Sequence, residues 1–219
     1  MWLLLIRKYL CIVILLLCIG NKNTDTLITD SLSIYDNHPT LDISEAKHLQ
    51  WVDSVLGVKG VKLIDYRNGI YQYDDTRFYW NRTFGYFLVY PSRFTHGEES
   101  DLSNGNHFVN EDSTICLNVY ATYFDVFKDD YSLHEWFDIM IDTEIEQGNR
   151  IVKKDITDHS YTIEGNTKGD RYFYSKAICK KAYEREIIVT VKLEYTRSVK
   201  KQAEEIVDNN IHLYNLPRE

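Results

Sequence analysis

The sequence predicts an α+β fold in which an antiparallel sheet is flanked by helices. Aromatic residues favour strands, and the chain of 219 residues contains 17 Tyr and 9 Phe among 44% hydrophobic residues. Strand-like segments come in runs between helical ones, in the order strand, long loop, strand, helix, three or four strands, helix, which is typical of α+β folds. Only three Pro and ten Gly are present, so a long low-complexity segment is excluded.

The N-terminus predicts a signal peptide over residues 1–18. Two cations, Arg7 and Lys8, precede an apolar run from Tyr9 to Ile19, which is too short to span a bilayer and matches the apolar core of a secretory signal. An uncleaved signal anchor is the alternative interpretation. Either one predicts a membrane-anchored or secreted protein of the cell envelope, outside the cytoplasm.

The end of this leader resembles a bacterial lipobox. The stretch Leu15–Cys18 would make Cys18 the lipidated first residue of the mature protein, although Leu17 is larger than the residue usual before such a cysteine. Residues 19–41 are polar and irregular and predict a flexible tether. We therefore expect a bacterial lipoprotein that contacts the membrane through its N-terminal lipid or signal anchor.

Residues 42–77 predict a helix followed by a hairpin. Apolar residues at helical spacing run through Glu45–Leu56, and Gly57 ends the helix. Strands are expected over 61–66 and 69–73, because the Asn68-Gly69 pair is a strong two-residue turn signal. Residues 74–81 are expected to cross to a main domain over residues 78–216.

The main domain begins with a short strand, Tyr86–Tyr90, which we expect to stop at Pro91 because proline lacks the N–H that a ladder needs. A long polar loop leads to the alternating strand Ile115–Tyr123. Ser132 then caps a helix over 133–147 that Gly148 ends. A meander follows, with strands over 151–158, 160–164, 171–182 and 186–195, and a last helix is predicted over 198–214.

Several stretches of this domain resemble a known family. They are Gly85–Pro91, Glu99–Asp101 with Asn104-Gly105, Leu117–Tyr120, Ile163–Gly165, Tyr172–Ala177 and Val189–Tyr195. Together they resemble the PsbP-like α/β/α sandwich family, especially its small bacterial lipoprotein branch, over roughly 78–214. The resemblance implies a non-enzymatic accessory or binding module, and it offers no family catalytic residue to transfer.

The polar loop is the one candidate for a metal site or an enzyme site. Its ligand-type residues are His96, Glu98, Glu99, Asp101 and His107. Metal ligands must converge at about 2 Å, and proximity in a loop does not secure that. We therefore expect solvated loop polarity, with no metal and no cofactor.

Two cysteines, Cys116 and Cys179, remain beyond the leader and fall in predicted strands. They are candidates for a disulfide in an oxidising envelope, and buried free thiols are the alternative. A buried thiol is a poor nucleophile, and the chain lacks the Gly-x-Ser-x-Gly and His-Glu-x-x-His motifs. We expect no catalytic residue.

The overall charge and the aromatic residues bear on the partner. The net charge of −8 opposes binding to nucleic acid, whose phosphates require clustered cations. Tyr71, Tyr73, Tyr79 and Trp80 could form an interface patch, although core positions are the more frequent place for such residues. The sequence therefore favours an envelope lipoprotein that binds another protein or a surface component without turnover. An inhibitor or immunity-type protein, and an enzyme with a site at residues 96–107, are the alternatives.

Overall fold

Two antiparallel sheets, three α-helices and a short 3-10 helix (Arg197–Val199) make up the computed structural model, which describes residues 45–65, 67–97, 103–169, 171–182, 184–210 and 213–215. The predicted signal peptide, Cys18 and the tether over 19–41 lie outside these residues. The helices are α1 (Glu45–Leu56), α2 (Leu133–Glu146) and α3 (Lys200–Asn210). The strands are β1 (Lys62–Asp65), β2 (Ile70–Tyr73), β3 (Thr76–Asn81), β4 (Tyr86–Pro91), β5 (Phe94–His96), β6 (Gly105–Asn110), β7 (Ile115–Tyr123), β8 (Arg150–Ile156), β9 (Ser160–Asn166), β10 (Tyr172–Ala182), β11 (Arg185–Tyr195) and β12 (Leu213–Asn215).

The sheets differ in width. The five-stranded sheet has the order β1-β2-β3-β4-β12, and the seven-stranded sheet has the order β5-β6-β7-β11-β10-β9-β8. All of their pairings are antiparallel. The α+β class with antiparallel sheets that the sequence predicts is therefore confirmed.

The main core lies between the two sheets. Strand side chains alternate between faces, so the odd-numbered residues of β7 and β11 point toward the five-stranded sheet. The buried residues of this core come from both sheets and α3: Ile70, Tyr79, Tyr86, Leu88, Tyr90, Phe94, Phe108, Ile115, Leu117, Val119, Ala121, Ile187, Val189, Val191, Leu193, Ala203 and Ile206. A helix lies on the outer side of each sheet. α1 packs Val52 and Leu56 against Trp80 and Phe87 of the five-stranded sheet.

Both helices whose ends were predicted from sequence signals have the expected caps. Ser132 accepts a hydrogen bond from the Glu135 N–H and the Glu135 carboxylate accepts one in return from the Ser132 N–H, which together form a capping box. Gly57 and Gly148 follow α1 and α2 with φ of 69° and 87°, a left-handed conformation that glycine adopts without strain. Local sequence signals therefore mark both ends of α2 and the C-terminal end of α1.

Three predictions about the chain path were wrong. Residues 76–81 form β3 instead of a crossing segment, and β3 joins the predicted hairpin to β4 in one sheet. The described residues from Glu45 onward belong to one compact unit. The predicted long loop contains β5 and β6, and α3 ends at Asn210, so that Leu213–Asn215 form β12.

β4 ends at Pro91 as predicted, with Pro91 as its last residue, opposite Thr76. This position tolerates proline because β12 pairs only with Tyr86, Phe87 and Leu88 on the other side of β4. The layering also differs from one sheet flanked by helices, since the five-stranded sheet covers one face of the seven-stranded sheet. Among the described residues, no helix combines the length and the apolar character needed to span a membrane.

Candidate functional site

The outer face of the seven-stranded sheet, which points away from the five-stranded sheet, is shared between α2 and a polar surface. α2 lies over β8 and β9, where Lys154 Nζ is 2.9 Å from Asp138 Oδ1 and the Phe137 ring meets the Tyr161 ring edge-on at 5.3 Å. It reaches β11 through Glu144. The outward side chains of β6 and β7 are exposed or half-buried.

We name these outward residues the β6–β7 face. It consists of His107, Val109, Cys116, Asn118, Tyr120 and Thr122. His107 is exposed and the other five are half-buried. The register brings them together, because His107 lies opposite Asn118 and Val109 opposite Cys116. The face therefore combines imidazole, amide and hydroxyl groups with small apolar ones.

A row of polar side chains crosses the sheet from this face to the space beneath α2. His107, Asn118, Lys192 and Ser175 lie opposite one another in the register of β6, β7, β11 and β10. His107 Nδ1 is 2.5 Å from Asn118 Oδ1. In this amide orientation a neutral imidazole would carry its proton on Nδ1, because a carbonyl oxygen only accepts, and would present Nε2 as an acceptor.

Lys192 is the charged centre of the row. Its Nζ is 2.9 Å from Glu144 Oε2 and 3.2 Å from Glu194 Oε1, and it lies 5.3 Å from the centre of the Phe173 ring. Asn149 Nδ2 donates to Glu144 Oε2 at 2.6 Å. Burial alone would lower the pKa of Lys192, but the two carboxylates outweigh it and hold that pKa above its usual value. The lysine is therefore charged and ties α2 to β11.

The thiols of this sheet are free and weakly acidic. Burial raises the pKa of Cys116, although the adjacent Arg171 guanidinium opposes that rise. Arg171 Nη2 lies 3.7 Å from the Cys116 sulfur. Burial raises the pKa of Cys179 to about 11. Both are protonated at neutral pH, and the thiol form is a poor nucleophile.

The disulfide for which Cys116 and Cys179 were candidates does not form in this fold. Cys116 lies opposite Glu194 and Cys179 lies opposite Ile188, six positions away along β11. At about 3.3 Å per residue this separates the cysteines by roughly 20 Å. A disulfide requires Cα atoms within about 7 Å.

The polar loop proposed as a metal or enzyme site is only partly described. His96 lies in β5 opposite Phe108, and His107 lies in β6, whereas Glu98, Glu99 and Asp101 lie outside the described residues. Within the part of the chain that the structure describes, no three His, Cys, Asp or Glu residues are grouped so that they could hold a metal ion. The His107 ring instead contacts the Asn118 side chain.

The aromatic residues that could have formed a surface patch lie mainly in the core. Tyr71, Tyr79 and Trp80 are buried, and only Tyr73 is exposed, at 41%. Trp80 stacks on Phe87 with ring centres 5.6 Å apart. These residues therefore stabilise the five-stranded sheet.

The sequence did not identify the polar row. The alternation along β7 indicates that Asn118 and Thr122 share a face, but His107 is 11 residues from Asn118 and Lys192 is 48 residues from Glu144. Such pairs depend on strand register and helix docking. The missed signal lies in Asn106–Val109. These residues are part of β6 but fall within the predicted polar loop.

Comparison with known proteins gave structural likenesses only: no family model matches the chain, and no curated protein matches it. A Bacteroides thetaiotaomicron protein of known structure is 15% identical with a TM-score of 0.34; the match covers 62% of this chain and 46% of that one. The Ran-binding protein Mog1p of Saccharomyces cerevisiae is 14% identical with a TM-score of 0.35; the match covers 63% of this chain and 85% of that one. LpqN of Mycobacterium tuberculosis, described as involved in cell envelope biogenesis, is 8% identical with a TM-score of 0.34; the match covers 66% of this chain and 80% of that one. The α+β class of this chain rests on its own sheets and helices.

Proposed function

We propose that the chain is an envelope-anchored lipoprotein whose domain binds another envelope protein without turnover, and that the β6–β7 face is the contact surface. The observation that carries the proposal is the composition of this face. Its six residues include no Lys, Arg, Asp or Glu, in a chain that is 26% charged. Charged residues are similarly depleted at the centres of protein interfaces.

The geometry of the face supports a protein partner. With a neutral imidazole, His107 and Asn118 together present one hydrogen-bond acceptor and one donor group, and exchanging the Asn118 amide oxygen and nitrogen only exchanges these roles. A peptide group offers the complementary donor and acceptor. Val109 and Cys116 supply apolar contact beside the pair. The chemistry therefore suits an uncharged polypeptide segment.

The contact surface can be tested by site-specific photocrosslinking in the cells that make the protein. A photoreactive phenylalanine analogue at Asn118 or Thr122 should give a discrete covalent adduct with one protein. The matched controls are Val152, which is 68% exposed on β8, and Asp142, which is exposed on α2. Equal adducts from all four positions, or none from Asn118 and Thr122, would contradict the proposal.

The anchor is tested separately. Metabolic labelling with palmitate should mark the wild-type chain, and Cys18→Ser should abolish the label, whereas Cys11→Ser should retain it because Cys11 is removed with the leader. Labelling that persists in Cys18→Ser, or is absent from the wild type, would refute lipidation. The crosslinking result does not depend on which anchor is used.

A further inference from the structure

One arginine on the outer face of the seven-stranded sheet is bonded to neutral acceptors only. Arg171 is half-buried. Its Nη2 donates to the main-chain oxygens of Thr114 and Glu194, at 3.1 and 3.3 Å, and lies 3.7 Å from the Cys116 sulfur. Its Nε is buried without a hydrogen-bond partner. No Asp or Glu of the described residues forms an ion pair with this guanidinium.

The acids of this region are directed to a different cation. Glu194 Oε1 is 3.2 Å from Lys192 Nζ, and Glu144 Oε2 is 2.9 Å from the same ammonium. Arg171 contacts Glu194 only through the main-chain oxygen. Removing a charge from water costs free energy unless an opposite charge pairs with it. The Arg171 guanidinium therefore lacks the anion that its partial burial calls for.

This guanidinium lies at one end of the β6–β7 face. It contacts the sulfur of Cys116, which belongs to that face, and it lies where β7 begins and β11 ends. Because Val109 lies opposite Cys116, a positive charge borders the apolar end of the face. Asn118 is two residues further along β7, about 7 Å away. A segment bound across the face therefore reaches Arg171 within a few residues.

We infer that the partner segment carries one Asp or Glu whose carboxylate pairs with Arg171. This inference rests on the proposed function and adds a charged anchor at the end of an otherwise uncharged face. Nη1 has no hydrogen-bond acceptor among the described residues, and a guanidinium is well suited to bind a carboxylate. The six residues of the face include no cation that would help to hold a phosphate. Because the chain itself has a net charge of −8, we expect a single carboxylate and not an acidic stretch.

Charge reversal across the contact tests the inference. The photoreactive analogue at Asn118 captures the partner in cells, and peptide mass spectrometry locates the crosslinked residue, with an Asp or Glu expected within about three residues of it. Arg171→Glu should lower the adduct yield by on the order of thirtyfold. Replacing that acid of the partner by Arg should restore the yield. The matched control is Arg150→Glu, at an exposed position on β8, which should leave the yield unchanged.

Two further variants separate charge from structure, because Arg171 also donates to two main-chain oxygens. Arg171→Lys and Arg171→Gln both keep a donor, but only the lysine keeps the charge. Arg171→Lys should therefore retain most of the adduct and Arg171→Gln should lose it, with the urea midpoint of each variant measured to confirm folding. Equal yields from these two variants would overturn the inference even where Arg171→Glu does not fold.

The outcomes distinguish this inference from the proposed function on which it rests. If the Asn118 adduct forms normally in Arg171→Glu, or if the reversed charge of the partner does not restore it, the carboxylate anchor is refuted and the β6–β7 face stands as the contact surface. If Asn118 gives no protein adduct in the wild-type background, both are refuted. Restoration by the partner's reversed charge supports both, because a purely structural role of Arg171 would not respond to a change in the partner.

Discussion

Replacing Lys192 by methionine should destabilise the fold more than the loss of any surface ion pair. Lys192 and Glu144 have side chains only 13% and 12% exposed, and Glu194 Oε1 lies 3.2 Å from the same ammonium. At an effective dielectric constant of about 20, each contact is attractive by on the order of 5 kcal/mol. The desolvation of the charges offsets much of that attraction, but Lys192→Met leaves the desolvated Glu144 without its cation.

Removing one partner of a buried ion pair typically lowers the free energy of unfolding by about 3 to 5 kcal/mol, and we expect a loss in this range. Urea denaturation of Lys192→Met measures it, provided the slope against urea concentration is unchanged. Lys153→Met is the matched control. Its Nζ lies 2.8 Å from Glu164, but the two side chains are 67% and 43% exposed, so the loss should be small.

A double variant separates the ion pair from simple packing. Lys192→Met combined with Glu144→Leu removes both charges and should lose less stability than Lys192→Met alone, because no buried carboxylate is left unpaired. Two results would refute this reasoning. One is a stability loss in the double variant equal to the sum of the losses in Lys192→Met and Glu144→Leu, and the other is a loss below about 1 kcal/mol for Lys192→Met.

The pH dependence has a definite sign. The pKa of Lys192 is raised in the folded state, so its stabilising effect is complete below the ordinary lysine pKa of about 10.4 and is lost as the pH rises through the folded-state value. The difference between wild type and Lys192→Met should therefore stay constant from about pH 7 to 9 and shrink only at higher pH. A difference that shrinks below pH 9 would contradict a charged, carboxylate-held lysine.

Three further predictions concern sterics, capping and thiol chemistry. Gly105→Ala should greatly reduce the yield of folded protein, because an added Cβ would lie 2.0 Å from the Val119 carbonyl oxygen. In the control Gly97→Ala the nearest atom to the added Cβ is 3.4 Å away, so this variant should be tolerated. Equal yields of the two variants would contradict this explanation. Ser132→Ala should lower the free energy of unfolding by about 1 kcal/mol in urea denaturation, and Ser132→Thr should retain most of the cap; an Ala variant as stable as wild type would show that the cap contributes nothing. Because their pKa values are raised, Cys116 and Cys179 should react with iodoacetamide at pH 8 far more slowly in the native chain than in urea, as measured by peptide mass spectrometry; equal rates would contradict their burial.

Local signals determined which parts of the fold the sequence could predict. α1 was predicted with its observed bounds, and Ile115–Tyr123 was predicted in full, because their periodicities are strong and turn or cap residues adjoin them. β3, β5 and β6 pair with strands nearby in the chain, but they fell within the predicted crossing segment and polar loop. β12 was missed because it has only three residues and pairs with β4, over 120 residues earlier in the chain. Pairing of this kind leaves little trace in a three-residue sequence.

The candidate site was less predictable than the fold because it depends on lateral register. The sequence directed attention to the histidines and acids of the 96–107 loop, where they are adjacent in the chain. The structure instead joins His107 to Asn118 and, one strand further, Lys192. A one-residue slip of β6 against β7 would turn His107 to the opposite face. In a hairpin the turn sets that register, and the turn between β6 and β7 at residues 111–114 lay inside the predicted loop.

That part of the outer face stays accessible, in contrast, follows from the width of the seven-stranded sheet compared with the diameter of α2. Seven strands spaced about 4.8 Å apart make a sheet roughly 29 Å wide, whereas a helix with its side chains is about 10 to 12 Å in diameter. The single helix α2 therefore covers only part of the outer face: it packs over β8 and β9 and reaches Lys192 on β11 through Glu144. β6 and β7 lie beyond β11 in the order of the sheet, so α2 leaves their outward side chains uncovered. Lys192 thus lies at the boundary between α2 and the β6–β7 face, without being part of that face.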